Sequence, residues 1–255
     1  MADIRKPLKK FLPNLLKAQE ESLNEADTVQ RIILLLHQVL DYDLLGEVTR
    51  ETQIKDKFVD IAIKLDGKVR LLIEAKPAGT PLRDRHIEQA ERYAAEGNHP
   101  WVLLTNGVAW NLYHLTFDEG IEYERVFAVD LQTDDLERAA ELLAILHRSS
   151  LAKGEHEDYW RRHQALGPES IGRALFTFDV LSRIRREVRR REGLLIDVED
   201  LGRAIREMFS AEARERIGVV KIQRKRVGKR KKAVAPPAEN SATEAPPTAA
   251  PGAGT

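Results

Sequence analysis

The feature that most constrains this sequence is a change of hydrophobic period. From Leu23 to Leu40, Val29, Ile32, Ile33, Leu36, Val39 and Leu40 recur at spacings of three and four, which predicts an amphipathic helix. From Phe58 to Leu65 the pattern alternates, with Val59, Ile61, Ile63 and Leu65 on one side of a strand and Asp60 on the other. Glu47 to Ile54 predicts a strand ahead of it, Asp66-Gly67 is a turn signal, and Lys68 to Lys76 (KVRLLIEAK) is a second apolar strand that ends in charge. The chain must therefore build a hairpin whose acidic residues interrupt apolar runs.

Pro81 to Glu96 predicts a polar helix, Trp101 to Thr105 (WVLLT) a short buried strand, and Asn106-Gly107 a turn. Ala109 to Leu115 predicts another strand, with Trp110, Leu112 and His114 on one face. The order is αβββαββ, with a further strand at Phe127 to Leu131 and a helix at Asp134 to Arg148. A helix crossing between the third and fourth strands predicts an α/β fold, a mixed central sheet flanked by helices. Beyond Glu155 strand patterns stop. Glu169 to Arg191 reads as one long helix with Ile171, Leu175, Phe178, Leu181, Ile184 and Val188 on one face and Arg183, Arg185, Arg186, Arg189 and Arg190 on the other. Asp197 and Asp200 mark the start of a second helix through Met208. Three regions follow: a domain over 1–150, a helical extension over 151–220 and a tail over 221–255.

The longest apolar run is five residues, as in Ile32 to Leu36, so no membrane span is expected. Lys6, Lys9 and Lys10 resemble a signal n-region, but Pro13, Asn14 and Lys17 interrupt any apolar segment behind them, and secretion is not expected. With no cysteine there is no disulfide scaffold and no thiolate metal site. The seven histidines (37, 86, 99, 114, 147, 156 and 163) fall in no zinc spacing. The chain reads as a cytoplasmic protein. Its zero net charge hides an asymmetry, since residues 1–150 hold 19 basic and 26 acidic groups and residues 221–255 hold 8 and 2. All eight of those cations, Lys221, Arg224, Lys225, Arg226, Lys229, Arg230, Lys231 and Lys232, lie within twelve residues and suit a polyanion such as nucleic acid. The Ala/Pro-rich remainder has almost nothing to bury and is expected to be disordered.

Asp60, Glu74 and Lys76 form D-x13-E-A-K, two carboxylates and an ammonium on adjacent strands. Phosphodiester hydrolysis uses these types: two carboxylates and the Ala75 carbonyl can hold a hard Mg²⁺ (or Mn²⁺), and a neighbouring Lys can position or deprotonate water. A structural ion pair among the three is the competing account. Asp66-Gly67-Lys68 also fits D-x-K, but as hairpin chemistry. Because side chains alternate faces, a plain two-residue turn pairing Leu65 with Lys68 would set Asp60 opposite Ile73. Either an odd loop pairing Leu65 with Val69, or a β-bulge, is needed to bring Asp60 opposite Glu74.

From about Glu25 to His114, the segments NEADTVQRIILLLHQVL, KFVDIAI, RLLIEAK, HIEQAERYA and WVLLTNGVAWNLYHL resemble, in order, the amino-terminal nuclease domain of type I restriction enzyme R subunits, within the PD-(D/E)xK superfamily. The resemblance implies a restriction-endonuclease-like core with Asp60, Glu74, Ala75 and Lys76 as its catalytic and metal-binding motif. It also implies an accessory Q-x-x-x-Y in Gln89 and Tyr93 that faces the bound strand, and a metal-side glutamate in Glu25. A plain solvated helix face is the competing account of Gln89 and Tyr93, and a favourable helix dipole would equally place Glu25. Thr105, Asn106 and Gly107 match too, though a strand followed by a turn explains them. The sequence holds no G-x-x-x-x-G-K-[ST], so no ATP-driven motor is expected.

The resemblance implies Mg²⁺-dependent cleavage of DNA, in phage defence or repair. The alternative is a catalytically idle nucleic-acid-binding or assembly protein that uses the Arg-rich helix and basic tail. RNA as substrate, a homodimer, and partner methylase or helicase subunits stay open.

Overall fold

The computed structural model describes residues 2–54, 57–118 and 120–219. Two helices come first, α1 (Arg5–Glu20) and α2 (Glu25–Gln38), where the sequence predicted only the second. In α1, Ile4 at its N-cap and Leu8, Phe11, Leu15 and Ala18 along one stripe are buried, and the helix runs through Pro13. A proline inside a helix costs about 3 kcal/mol, which is why the segment reads as broken; the buried stripe offsets it.

Strands β1 (Val48–Ile54), β2 (Lys57–Leu65) and β3 (Lys68–Ala75) form a meander. The crossover helix α3 (Asp84–Gly97) then leads into β4 (Trp101–Thr105), β5 (Ala109–Thr116) and β6 (Glu122–Asp130). The six strands lie in sequence order, all antiparallel except the central β3–β4 pair. The fold is thus the mixed α/β sheet expected. The last strand begins five residues earlier than Phe127, because Glu122 to Arg125 pair with Tyr113 to Thr116 across a bulge despite their polarity.

Two apolar layers sandwich the sheet. Ile61, Ile63, Leu71, Ile73, Leu103, Trp110 and Leu112 pack with α1 and α2, whereas Ala62, Leu72, Val102 and Leu104 pack with Ile87 and Ala94 of α3. The helix expected over Asp134 to Arg148 is broken. It comprises α4 (Leu136–Leu143), a 3₁₀ turn over Ala144–Leu146, and α5 (Arg148–Ala152), with His147 extended between them. Tertiary bonds replace helical ones there, Tyr42 Oη donating to Leu146 O at 2.6 Å and Arg148 N to Leu40 O at 2.9 Å, and His147 caps α5 locally, its Nδ1 accepting from Ser149 N. Helix α6 (Glu155–Leu166) follows.

The predicted long helix is also two, α7 (Pro168–Leu175) and α8 (Phe178–Glu192). Phe176 is buried, Thr177 is extended, and Asp179 sits in the new first turn, where the helix dipole favours an acid. Helices α9 (Val198–Glu207) and α10 (Ala211–Ile217) complete the described chain. Among the described residues, those of 2–174 with 209–218 form one compact unit, and 175–208 with 219 the other. Within the second unit α8 and α9 pack together, with Leu181, Val198 and Leu201 buried. No described helix is long and apolar enough to cross a membrane.

Candidate active site

The β2–β3 hairpin closes through a two-residue turn, with Asp66 at φ 53° and Gly67 at φ 72°, so Leu65 pairs with Lys68 and not with Val69. Two successive positive φ values give the turn whose twist matches a hairpin. The odd loop is therefore not used, and the bulge is. Lys64 pairs with Val69 but Ile63 pairs with Leu71, leaving Arg70 as the extra residue. Val69 accordingly packs on the α3 side and Leu71 on the other, although they are two apart. The register from Ile61–Ile73 onward carries Asp60 to the level of Glu74.

A second irregularity lies at Asp60 itself. Glu51, between the β1 residues paired to Ile61 and Val59, has φ 46°. Val59 packs in the α3-side layer and not with Ile61 and Ile63, which corrects the simple alternation expected of this strand. The kink frees the Asp60 carboxylate from the pleat, and its Oδ2 accepts the Ala75 N–H at 2.7 Å. A cleft of about 130 Å³ lined by Glu25, Ala26, Val29, Arg50, Glu51 and Asp60 opens beside it.

Glu74 is 1% exposed. Its Oε1 accepts from Lys76 Nζ at 2.6 Å, while its Oε2 is buried with no hydrogen-bond partner. Burial first, then the charge of Asp60, push its carboxyl up to about 7. Burial raises Asp60 as well, against the Ala75 N–H and with help from Glu25. Burial alone would depress the Lys76 ammonium, but the hydrogen bond and charge of Glu74, with Glu25 and Asp60, leave it above its ordinary value. Lys76 is therefore a firmly protonated cation, suited to positioning water and offsetting negative charge rather than to removing a proton.

These residues fit a hard divalent cation. The orphaned Glu74 oxygen is the observation that tests the fit, because a buried acceptor without a partner is costly unless a proton or cation meets it. Asp60, Glu74 and the Ala75 carbonyl would hold the ion, with Glu25 at the cleft rim; among the described residues no three His, Cys, Asp or Glu side chains converge into a ready cluster. Gln89 and Tyr93 both fall on α3, one turn apart. Their side chains, and the whole of the Lys221 to Lys232 segment, lie outside the described residues.

One positioning group, Thr28, escaped the sequence reading, and a second, Asn106, was read there as a turn residue. Thr28 of α2, 1% exposed, donates from Oγ1 to Asn24 O at 2.7 Å and accepts the Ala78 N–H at 3.0 Å, tying the helix that carries Glu25 to the segment leaving Lys76. Asn106 folds its own turn, with Oδ1 accepting from Val108 N and Ala109 N, and Nδ2 donates to Thr80 O at 2.9 Å. Lys76 N donates to Thr105 O at 2.8 Å. The T-N-G turn therefore braces the chain on the C-terminal side of the motif. A buried Thr at the fourth helical position was the signal available for Thr28, but such residues are common in cores.

Residues 24–126 match the family described as type I restriction enzyme R protein N terminus. No curated protein and no solved structure matches the chain.

Proposed function

We propose that the protein, whose residues 24–126 match the family described as type I restriction enzyme R protein N terminus, is a Mg²⁺-dependent endonuclease that hydrolyses DNA phosphodiesters at Asp60, Glu74 and Lys76. The match supports a restriction-nuclease-like role that involves DNA. The observation that carries the finer reading is the buried, partnerless Glu74 Oε2 beside Asp60. When bound, Mg²⁺ supplies Lewis acidity toward a phosphate oxygen and a more acidic water.

Asp60, Glu74 and the Ala75 carbonyl would hold that ion, and the Ala75 N–H fixes Asp60 by its Oδ2. Lys76 Nζ keeps its proton, holds Glu74 by Oε1 and presents positive charge where negative charge grows at phosphorus. Gln89 and Tyr93 position the substrate strand, and Lys221, Arg224, Lys225, Arg226, Lys229, Arg230, Lys231 and Lys232 contact its backbone. A use in phage defence or repair fits this chemistry. The test is nicking of supercoiled plasmid by wild type and Lys76→Ala, with Mg²⁺ and with EDTA. Nicking that needs both Mg²⁺ and Lys76 supports the proposal. A second reading, a catalytically idle nucleic-acid-binding protein, is favoured by the Glu74–Lys76 pair closing on itself, and absence of nicking under all conditions selects it.

A further inference from the structure

We propose that the outer stripe of α8 is a nucleic-acid backbone contact surface in the second compact unit. Arg183, Arg186, Arg189 and Arg190 are exposed, while Leu181 on the opposite face is buried and Ile184, Arg185 and Val188 are half-buried. Spacings of three and four place Arg183, Arg186 and Arg190 one above another along the outer face. Glu187 takes Arg190 and Arg191. Arg183, Arg186 and Arg189 meet no carboxylate among the described residues; Arg186 reaches only the Ser182 carbonyl, at 3.4 Å.

Helix physics explains part of this composition. Arg189, Arg190 and Arg191 lie in the last turn, where the dipole favours cations. Arg183 and Arg186 lie in the body of the helix and gain nothing there. Like charges at i,i+3 and i,i+4 (183/186, 186/189, 186/190) each cost a few tenths of a kcal/mol in the isolated helix. A row of guanidiniums that repel one another and face solvent is relieved by a polyanion, and the five-donor fork of Arg suits phosphate oxygens. Such contacts position a duplex without reading its bases.

The inference rests on DNA being the substrate, and its test separates the two. Full-length protein is titrated with salt against a short fluorescent duplex in EDTA. Arg183→Gln/Arg186→Gln/Arg189→Gln, which conserves helix propensity, is expected to flatten the slope of log K against log salt by about 2.7 units, at about 0.9 per lost phosphate contact. Glu187→Gln, which frees Arg190 and Arg191, is expected to tighten binding and steepen the slope, an outcome misfolding cannot mimic. Lys76→Ala should lose nicking while flattening the slope by no more than a single contact, about 0.9. If wild type never nicks but the triple variant still loses slope, the nuclease reading fails alone. Unchanged slopes in both the triple and Glu187→Gln variants overturn the inference.

Discussion

At the scale of single residues, the site is defined by a carboxylate that has one partner too few. Removing its charge should separate stability from activity. Glu74→Gln keeps the shape and an acceptor for Lys76, and Asp60→Asn keeps an acceptor for the Ala75 N–H, so both variants should fold as wild type yet lose plasmid nicking by several orders of magnitude. In metal-free buffer above pH 7, Glu74→Gln should melt higher than wild type; a large fall in its melting temperature would favour a purely structural ion pair. The same carboxyl sets a pH dependence. Its folded value of about 7 exceeds 4.5, so between those limits the folded state binds more protons than the unfolded one. Without metal, Glu74 thus lowers stability progressively as pH rises from 4.5 to 7, by on the order of 3 kcal/mol in total. Mg²⁺ competes with that proton, so the gain in melting temperature on adding Mg²⁺ should be small at pH 5.5 and grow through pH 7. A gain independent of pH would detach metal binding from Glu74. The D-x13-E-A-K pattern was legible in the sequence because acids rarely interrupt apolar strands. Which Glu74 oxygen is orphaned was not, since that depends on the Lys76 rotamer and on burial.

At the scale of elements, the hairpin obeys parity arithmetic that the sequence states only as a choice. Asp66-Gly67 fixes a two-residue turn, so a bulge at Arg70 restores the phase between Asp60 and Glu74. Deleting Arg70 should therefore be tolerated. With the turn kept, a regular ladder without residue 70 again sets Asp60 at the level of Glu74, and nicking should survive, whereas inserting one residue after Arg70 should shift the phase and abolish it. Loss of activity in the deletion with an intact fold would show that the bulge's twist, not register alone, shapes the site. The bond from Ala78 N to Thr28 Oγ1 belongs to this scale too. Thr28→Val should destabilise by about 1–2 kcal/mol, read by chemical denaturation, because it takes the stronger acceptor from a buried N–H that keeps only Leu23 O at 3.2 Å. It should also reduce nicking more than an equally destabilising change at Ile145, since it loosens the Glu25 helix from the motif. Two of the helices misread from the sequence share a cause. At Pro13 the buried stripe of α1, and around His147 the long-range hydrogen bonds of Tyr42 and Arg148, overrode local propensity, and those partners lie far away in the chain; at Thr177 the chain is extended beside a buried Phe176.

At the scale of the whole molecule, charge is divided unevenly along the sequence. Residues 1–150 carry 19 basic and 26 acidic groups, so a polyanion approaching Asp60 and Glu74 meets net repulsion. Cations collect on α8 and in Lys221 to Lys232, eight of the latter within twelve residues. If the chain acts on DNA, those basic segments should supply most of its salt-dependent affinity and none of its sequence preference, because phosphate contacts position while base-edge contacts specify. Truncation after Val220 isolates the tail's share. If half of its eight cations engage phosphates, the slope of log K against log salt should fall by roughly 3 to 4 units, at about 0.9 per contact. Binding should weaken most at low salt, where counterion release is strongest. Nicking at saturating enzyme should persist, since Asp60, Glu74 and Lys76 are untouched. The measurement is a salt titration of duplex affinity for full-length and truncated protein, with nicking assayed in parallel. A truncated protein that keeps the full slope would leave the Arg stripe of α8 as the backbone contact and assign the tail to a protein partner or to solubility. A truncated protein that keeps its affinity but loses nicking would instead place the tail at the chemical step, which nothing in the chemistry of lysine and arginine side chains requires when Lys76 already carries the charge beside Glu74.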